Sequence, residues 1–483
     1  MRHLKLTKNR IGLVLGPLSF LLIIMFFKPD DLSSAAIYTL ATTVWMAIWW
    51  MSEAVPIPVT ALLPVILFPL SGALSLSETT ACYGDKFVFL FLGGFALAIA
   101  IEKWNLHKRM ALNIIHFLGS KPNNIILGFM LATAFLSMWI SNTATAVMIL
   151  PVGLAIIHQF QNENKANLEV SKKFGKAILL SIAYSASIGG MATLIGTPPN
   201  LVFAGVIEKN FNTEISFFDW FKIGFPLSII LLFICWMYIT RVAYKLKNEN
   251  LKSGANDIHR QLSELGSLSK EEKSVLLVFV LTAIAWITKS FVLIKIFPFI
   301  DDTIIAIICL IFLFVIPSSN HDKRILDWRD TDRLPWGILI LFGGGMALAQ
   351  AFESSELAVW LGQQFHTLQG VSIFLLIIIT VAAINFLTEI TSNLATTAMI
   401  LPVLIPFAIS VDVHPYYFLI GATLAASCAF MLPAATPPNA VVFASGHLKI
   451  NDMVKKGFWM NIISIIIISL FVYYILPFFW DFK

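Results

Sequence analysis

Apolar runs long enough to cross a ~30 Å hydrocarbon core, about 20 residues each, recur from one end of the chain to the other, separated by short polar stretches. They predict eleven membrane-spanning helices, near residues 11–28, 35–51, 54–75, 87–103, 175–206, 222–245, 272–290, 302–317, 335–352, 416–446 and 456–477. Two further apolar segments do not fit that pattern. The stretch from Asn123 to His158 would reach ~54 Å as one straight helix at 1.5 Å per residue, and the polar pair Ser141-Asn142 interrupts it midway. Two half-helices meeting at that pair fit better, so the spacing predicts a re-entrant hairpin over 122–158 whose ends lie on one side. A second hairpin is predicted over 371–410, with its tip at Ser392-Asn393.

The two tips are copies. SNTATAVMILPV at Ser141 to Val152 returns as SNLATTAMILPV at Ser392 to Val403, identical at nine positions. The tetrapeptide TPPN follows each, at Thr197 to Asn200 and at Thr436 to Asn439. GGFALAIAIE at Gly93 to Glu102 also pairs with GGMALAQAFE at Gly344 to Glu353, at the same offset of 251 as the Ser-Asn pairs. After these decapeptides, Trp104 to Leu118 and Glu356 to Leu368 read as amphipathic helices lying along the membrane interfaces.

Charge orients the arrangement. Lys103, Lys108, Arg109 and Lys121 precede the first hairpin and Lys165, Lys172, Lys173 and Lys176 follow it, which marks a cytoplasmic entry. No Lys or Arg lies between Arg333 and Lys449, so the second hairpin enters from outside. The N-terminus is then cytoplasmic, and 26 of the 33 Lys and Arg fall on the cytoplasmic side. The two halves run in opposite senses, as an inverted repeat does. The predicted organisation is an N-terminal span (1–34), a first repeat (35–221), a sixth span with a basic cytoplasmic loop (222–271) and a second repeat (272–483).

Composition agrees. The chain has 483 residues, 58% hydrophobic and 13% charged, against roughly a quarter charged in soluble domains. An all-α polytopic protein of the plasma (inner) membrane is expected. The basic head (Arg2, Lys5, Lys8, Arg10) before Ile11 to Phe27 resembles a signal peptide, but no small-residue cleavage site follows, so this stretch reads as a retained span. A net charge of +5 reflects cytoplasmic retention of basic residues and implies no nucleic acid. Cys82, Cys235, Cys309 and Cys428 are too dispersed for a metal knuckle or disulfide framework. The histidines fall mainly in loops or at span ends, and the glycines at 93 and 343 read as helix-packing residues.

Irregular backbone at membrane depth is tolerated only inside protein or beside a watery cavity, so four polar breaks imply an enclosed polar site. Each break begins a helix. Ser141 or Asn142 and Ser392 or Asn393 suit the N-cap, and Thr197 and Thr436 stand as capping hydroxyls before Pro198 and Pro437 at the first helical position. Helix N-termini, each bearing about half a positive charge, would together receive an anion. On the other side of the breaks, freed carbonyls join the Asn oxygens and the hydroxyls of Ser137 and Thr388. Such hard, uncharged oxygen cages suit an alkali cation, and sodium is the physiological candidate. Glu389, three residues before Ser392, is either functional or a tie to nearby backbone. No HExxH motif or nucleophile–base pair suggests an enzyme, and no charge ring or carbonyl filter suggests a channel.

These motifs, with EAVPIPVTALLP at Glu53 to Pro64, IGGMATLIGTPPN at Ile188 to Asn200, PWGILILFGGG at Pro335 to Gly345 and MLPAATPPN at Met431 to Asn439, closely resemble the divalent anion–sodium symporter family, in its bacterial sodium/dicarboxylate form. The resemblance implies sodium-coupled uptake of C4-dicarboxylates such as succinate, malate and fumarate by alternating access, with Na+ as the coupling ion and no organic cofactor. It places substrate at Ser141, Asn142, Thr143, Thr197, Pro198, Ser392, Asn393, Thr436 and Pro437. It places one sodium at Ser137, Ser141, Asn142 and Gly196 and another at Thr388, Thr391, Asn393 and Ala435, with Gly196, Thr391 and Ala435 offering carbonyls. A homodimer and an elevator-type motion are also implied. One departure is that Leu394 stands where the family has a threonine in the second tip. The rival readings are a sodium-independent dicarboxylate exchanger and a citrate or sulfate transporter of the same fold.

Overall fold

The computed structural model describes residues 8–119, 121–163, 168–246, 260–319 and 323–480. Its secondary structure is almost wholly helical, and the described residues contain a single isolated β-bridge, Pro317 with Arg324. Eight helical runs among them are long and apolar enough to cross a membrane: Asn9–Phe26, Leu76–Lys103, Asn142–Asn162, Phe217–Ala243, Lys270–Ile296, Trp336–Ser354, Asn393–Ser410 and Ile450–Phe479. The chain is therefore a multi-pass helical membrane protein.

The first third holds α1 (Lys8–Phe26), α2 (Ser34–Ser52), α3 (Leu63–Ser71), α4 (Lys86–Lys103) and α5 (Leu106–Phe117). The single span predicted over 54–75 is instead two short pieces, Ile57–Thr60 and α3. Proline explains the difference. Pro56 and Pro64 each lack the N–H that an uninterrupted helix would use, and each starts a new helix at its N-terminal end. α4 crosses α12 (Asp302–Val315) so closely that a Cβ on Gly93 would lie 2.5 Å from the carbonyl oxygen of Ala306. The glycine is what permits that backbone approach.

Each repeat then unfolds along the same course. The first has α6 (Pro122–Ser137), α7 (Asn142–Glu163), α8 (Leu168–Gly190) and α9 (Pro198–Phe211), followed by α10 (Phe217–Met237) and α11 (Lys270–Thr288). The second has α13 (Trp336–Ser354), α14 (Leu357–Phe365), α15 (Ile373–Leu387), α16 (Asn393–Ser410), α17 (Tyr416–Ala426), α18 (Pro437–Ala444) and α19 (Ile450–Leu470). The predicted spans 175–206 and 416–446 are accordingly helix pairs, α8 with α9 and α17 with α18, parted at the proline turns. Backbone details repeat as well. Asn105 (φ 56°) and Glu356 (φ 63°) turn the chain into the two amphipathic helices α5 and α14, and Gly119 (φ 86°) and Gly370 (φ 84°) precede the two hairpins. Both pairs are separated by 251 residues, the offset of the tips. Left-handed φ is costly for residues with a Cβ, so its recurrence at Asn105 and Glu356 marks turns whose geometry the packing imposes.

Candidate functional site

The first hairpin reverses direction through Met138, Trp139 and Ile140. α6 ends at Ser137, and Ser141 caps α7 by accepting the Ala144 N–H at 3.2 Å. Ser137 Oγ lies 2.6 Å from Asn142 Oδ1 and 2.7 Å from the Ala186 carbonyl oxygen. The second hairpin reproduces the hydroxyl–asparagine contact but not the cap, since Ser392 stands at the N-cap without a side-chain capping bond: Thr388 Oγ1 lies 2.6 Å from Asn393 Oδ1 and 3.0 Å from the Ala426 carbonyl oxygen. In each cluster one hydroxyl proton serves three oxygens, because a serine or threonine donates only once and both neighbours are pure acceptors. Lone pairs are in surplus, and Ser137 and Thr388 are fully buried. A small cation would neutralise that surplus, whereas a further hydrogen-bond acceptor would add to it.

The proline turns are held open by a second pair of asparagines. Asn200 Nδ2 donates to the carbonyls of Gly190 (3.3 Å) and Thr193 (2.8 Å), and Asn439 Nδ2 donates to those of Ala429 (3.1 Å) and Leu432 (3.0 Å). Both side chains are fully buried, and the Oδ1 of each has no hydrogen-bond partner. Thr193 Oγ1 donates to the Met138 carbonyl at 2.5 Å, tying the first turn to the first tip. Gly196 sits among these oxygens: a Cβ there would lie 2.5 Å from Gly190 O, 3.0 Å from Thr193 Oγ1 and 3.1 Å from Met138 O. Gly190 is equally constrained, with Asn142 Oδ1 2.5 Å from its missing Cβ.

The residues singled out from the sequence fare differently. Ser137 with Asn142, and Thr388 with Asn393, are in direct contact. Ser141, Asn142, Ser392 and Asn393 are half-buried. Pro198 and Pro437 occupy the first helical position, as the capping pattern predicts, but only Thr436 accepts a capping bond, from the Asn439 N–H at 3.4 Å; the buried Thr197 makes none. Thr391 Oγ1 donates to the Leu387 carbonyl at 2.8 Å and meets Thr396 Oγ1 at 2.5 Å, which leaves its carbonyl as the group to offer. Ala435 is buried, with its N–H on the Leu432 carbonyl. Thr143 is exposed whereas its counterpart Leu394 is buried, so the two tips present different chemistry at that position.

Contacts cross between the repeats. The arm α7 packs on α18, the helix of the opposite proline turn, and the arm α16 packs on α9. The turns themselves touch where Cys428 Sγ lies 3.7 Å from Met191 Sδ. Each hairpin arm therefore lies against the turn helix of the other repeat. No group of three or more His, Cys, Asp or Glu suited to a metal ion occurs among the described residues.

Glu389 proves to be a tie to backbone. Its Oε1 accepts the N–H groups of Phe430 (2.8 Å) and Met431 (2.9 Å) and Asn461 Nδ2 (2.7 Å), while its Oε2 accepts the Leu432 N–H (3.0 Å). Three amides freed by the break after α17 are thereby satisfied. Met138 holds the equivalent position in the first tip, so the device belongs to the second repeat alone. Glu389→Gln puts an NH2 where an acceptor is needed and strands at least one buried amide, at a cost of about 1–3 kcal/mol. The expected result is a lower melting temperature of the detergent-solubilised protein, which Glu389→Asp, by keeping both acceptors, partly restores. An unchanged melting curve for Glu389→Gln would remove this role. The sequence offered Asn200 and Asn439 through the repeated TPPN, but their task of bracing the carbonyls is a property of the turn.

Comparison with known proteins agrees with a transporter fold. Residues 8–480 match the family described as "Sodium:sulfate symporter transmembrane region". The chain is 48% identical over 475 residues to the "Sodium-dependent dicarboxylate transporter SdcS" of Staphylococcus saprophyticus, covering 97% of this chain and 91% of that protein. It is 48% identical over 477 residues to the protein of the same name from Staphylococcus aureus strain MRSA252, covering 98% and 92%. Among solved structures it resembles the Alcanivorax borkumensis YdaH transporter (TM-score 0.60, 10% identity, 93% of this chain and 100% of that one). It also resembles Neisseria gonorrhoeae MtrF (TM-score 0.57, 12% identity, 98% and 96%). The last two likenesses concern the fold alone.

Proposed function

Because the chain belongs to the sodium:sulfate symporter family, we propose that it is a secondary active transporter that takes up C4-dicarboxylates together with sodium ions. The observation that carries this reading is the pair of matched oxygen clusters, Ser137–Asn142–Ala186 and Thr388–Asn393–Ala426, each short of protons and built on a buried hydroxyl. Relatives about half identical over nearly their full length, which bear the name of sodium-dependent dicarboxylate transporters, support the choice of ion and substrate.

In this reading the cation beside the first tip is held by Ser137, Ser141, Asn142 and the carbonyl of Gly196. The cation beside the second is held by Thr388, Asn393 and the carbonyls of Thr391 and Ala435. The dicarboxylate lies between them, one carboxylate at Ser141, Asn142 and Thr143, the other at Ser392 and Asn393, with the amide-bearing starts of α9 and α18 behind Thr197-Pro198 and Thr436-Pro437. Helix N-termini and bound cations supply the positive potential, so no arginine or lysine is needed. Binding order follows from charge: the dianion meets a favourable field only after sodium has filled the oxygen clusters.

The hairpins enter from opposite sides and the eleven spans form an inverted repeat, with the N-terminus in the cytoplasm of the cell bounded by this membrane. Both tips and both turns move together against the remaining helices, as an elevator, and two chains pair as a homodimer. If three sodium ions accompany a dianion, one net positive charge enters, and the membrane potential contributes ~2.3 kcal/mol per 100 mV.

Uptake of radiolabelled succinate into proteoliposomes tests the reading. With external sodium, uptake is expected to exceed that in potassium or choline at least tenfold, without any dicarboxylate inside. Fumarate and malate should compete, and citrate and sulfate should not. Uptake that ignores external sodium but needs internal dicarboxylate would replace symport with exchange.

A further inference from the structure

We propose that the groove between α10 and α19 is a binding site for an anionic phospholipid of the cytoplasmic leaflet. α10 does not end at Met237 but continues through a π-helical turn at Tyr238–Ala243. Such turns concentrate at functional sites, and this one presents Arg241 at the exposed surface. The facing wall is α19, where Lys456, Trp459 and Ile463 share one helix face by their spacing. Tyr238 Oη donates to the Lys456 carbonyl at 3.0 Å and fixes the two walls at this depth. Between them runs an open groove of about 650 Å³, with apolar sides that include Ile234, Met237, Trp459 and Ile463 and with Arg241 and Lys456 as its charged groups.

Both cations are positioned, and neither contacts a carboxylate among the described residues. The Arg241 guanidinium lies over the Trp236 ring at 5.8 Å and the Lys456 ammonium over the Tyr244 ring at 5.7 Å. Lys86, Lys103, Arg109, Lys176, Lys289 and Arg333 all contact carboxylates, whereas neither Arg241 nor Lys456 meets one among the described residues. A phosphodiester fits this pair, because guanidinium grips phosphate oxygens in two places and ammonium adds a point charge. The apolar walls below then take the acyl chains, and the exposed Trp459 stands at headgroup level, where tryptophan is favoured. A soluble anion would satisfy the cations yet leave those walls without purpose. Basic pockets between helices on the cytoplasmic side are known to attract anionic headgroups. The leaflet assignment rests on the topology proposed above, but the groove and its chemistry do not.

Native mass spectrometry of the purified, detergent-solubilised protein tests the site independently of transport. With equimolar phosphatidylglycerol and phosphatidylcholine added, the wild-type protein should retain one phosphatidylglycerol at least fivefold more often than phosphatidylcholine. R241Q/K456Q should abolish that preference, while R241K/K456R keeps it and R329Q, in the exposed turn before α13 that packs on α4, leaves it unchanged. Glycerol 3-phosphate at the same concentration should not displace the lipid. Absence of preference in the wild type, its persistence in R241Q/K456Q, its loss in R241K/K456R, or displacement by glycerol 3-phosphate would each overturn the proposal.

Discussion

Asn142→Ala and Asn393→Ala are each expected to reduce sodium-dependent succinate uptake to background while leaving a folded protein. Each asparagine brings its Oδ1 to 2.6 Å from a buried hydroxyl, Ser137 or Thr388, that itself abuts a helix carbonyl. Alanine deletes one of the three oxygens and leaves the other two to share a proton without strain, so the cluster becomes an ordinary hydrogen bond. A polar contact to a charged group contributes about 1.5–3 kcal/mol, which corresponds to roughly a 10- to 100-fold loss of sodium affinity at that cluster. Since the anion depends on the cations for its field, the loss multiplies through substrate binding. Half-saturating sodium and initial uptake rate in proteoliposomes measure it, with size-exclusion elution as the check on folding. Wild-type rates with unchanged half-saturating sodium would sink the cluster assignment. Ser137→Ala, which keeps Asn142, should fall between the variant and the wild type.

Gly190→Ala should be as damaging, for a steric reason. The added methyl would lie 2.5 Å from Asn142 Oδ1 and 3.1 Å from its Nδ2, well inside contact distance, so Asn142 must rotate away from Ser137. Overpacking of this kind costs about 1–3 kcal/mol, and here the side chain that yields is the one holding the ion. Gly94→Ala is the contrast, because its nearest neighbours stand at 3.6 Å or beyond, in ordinary contact with Ile195. The expected result is near-complete loss of uptake for Gly190→Ala and near-normal uptake for Gly94→Ala, both measured at equal reconstituted protein. Equal activity in the two variants would show that Asn142 does not need its present position.

Much of this could be read from residue order. The Ser-Asn and Thr-Pro-Pro-Asn pairs announced four helix interruptions because serine, threonine and proline have strong positional preferences at helix starts. Ser137 and Thr388 were visible one turn ahead of the tips for the same geometric reason. Other features were out of reach. The bracing of Gly190 and Thr193 carbonyls by Asn200 depends on how a seven-residue turn folds back, which no local propensity encodes. Glu389 bonds with Phe430, Met431 and Asn461, partners that the chain brings near only through packing. The division of residues 54–75 was legible in Pro56, Pro58 and Pro64, but hydropathy alone counted the segment as one span. The packing of α7 on α18 and of α16 on α9 joins segments hundreds of positions apart, beyond any periodic pattern.

That exchange of partners has a consequence for biosynthesis. As the polypeptide emerges, α7 and α9 enter the bilayer well before the ribosome has made α16 and α18, so the first half waits without the helices these two pack against. Assembly of the two repeats against each other must therefore be a late event, completed only near the end of translation. The inserted first half would be the form most exposed to quality-control proteases, and a gene truncated after the basic loop should yield a product that is made and then cleared.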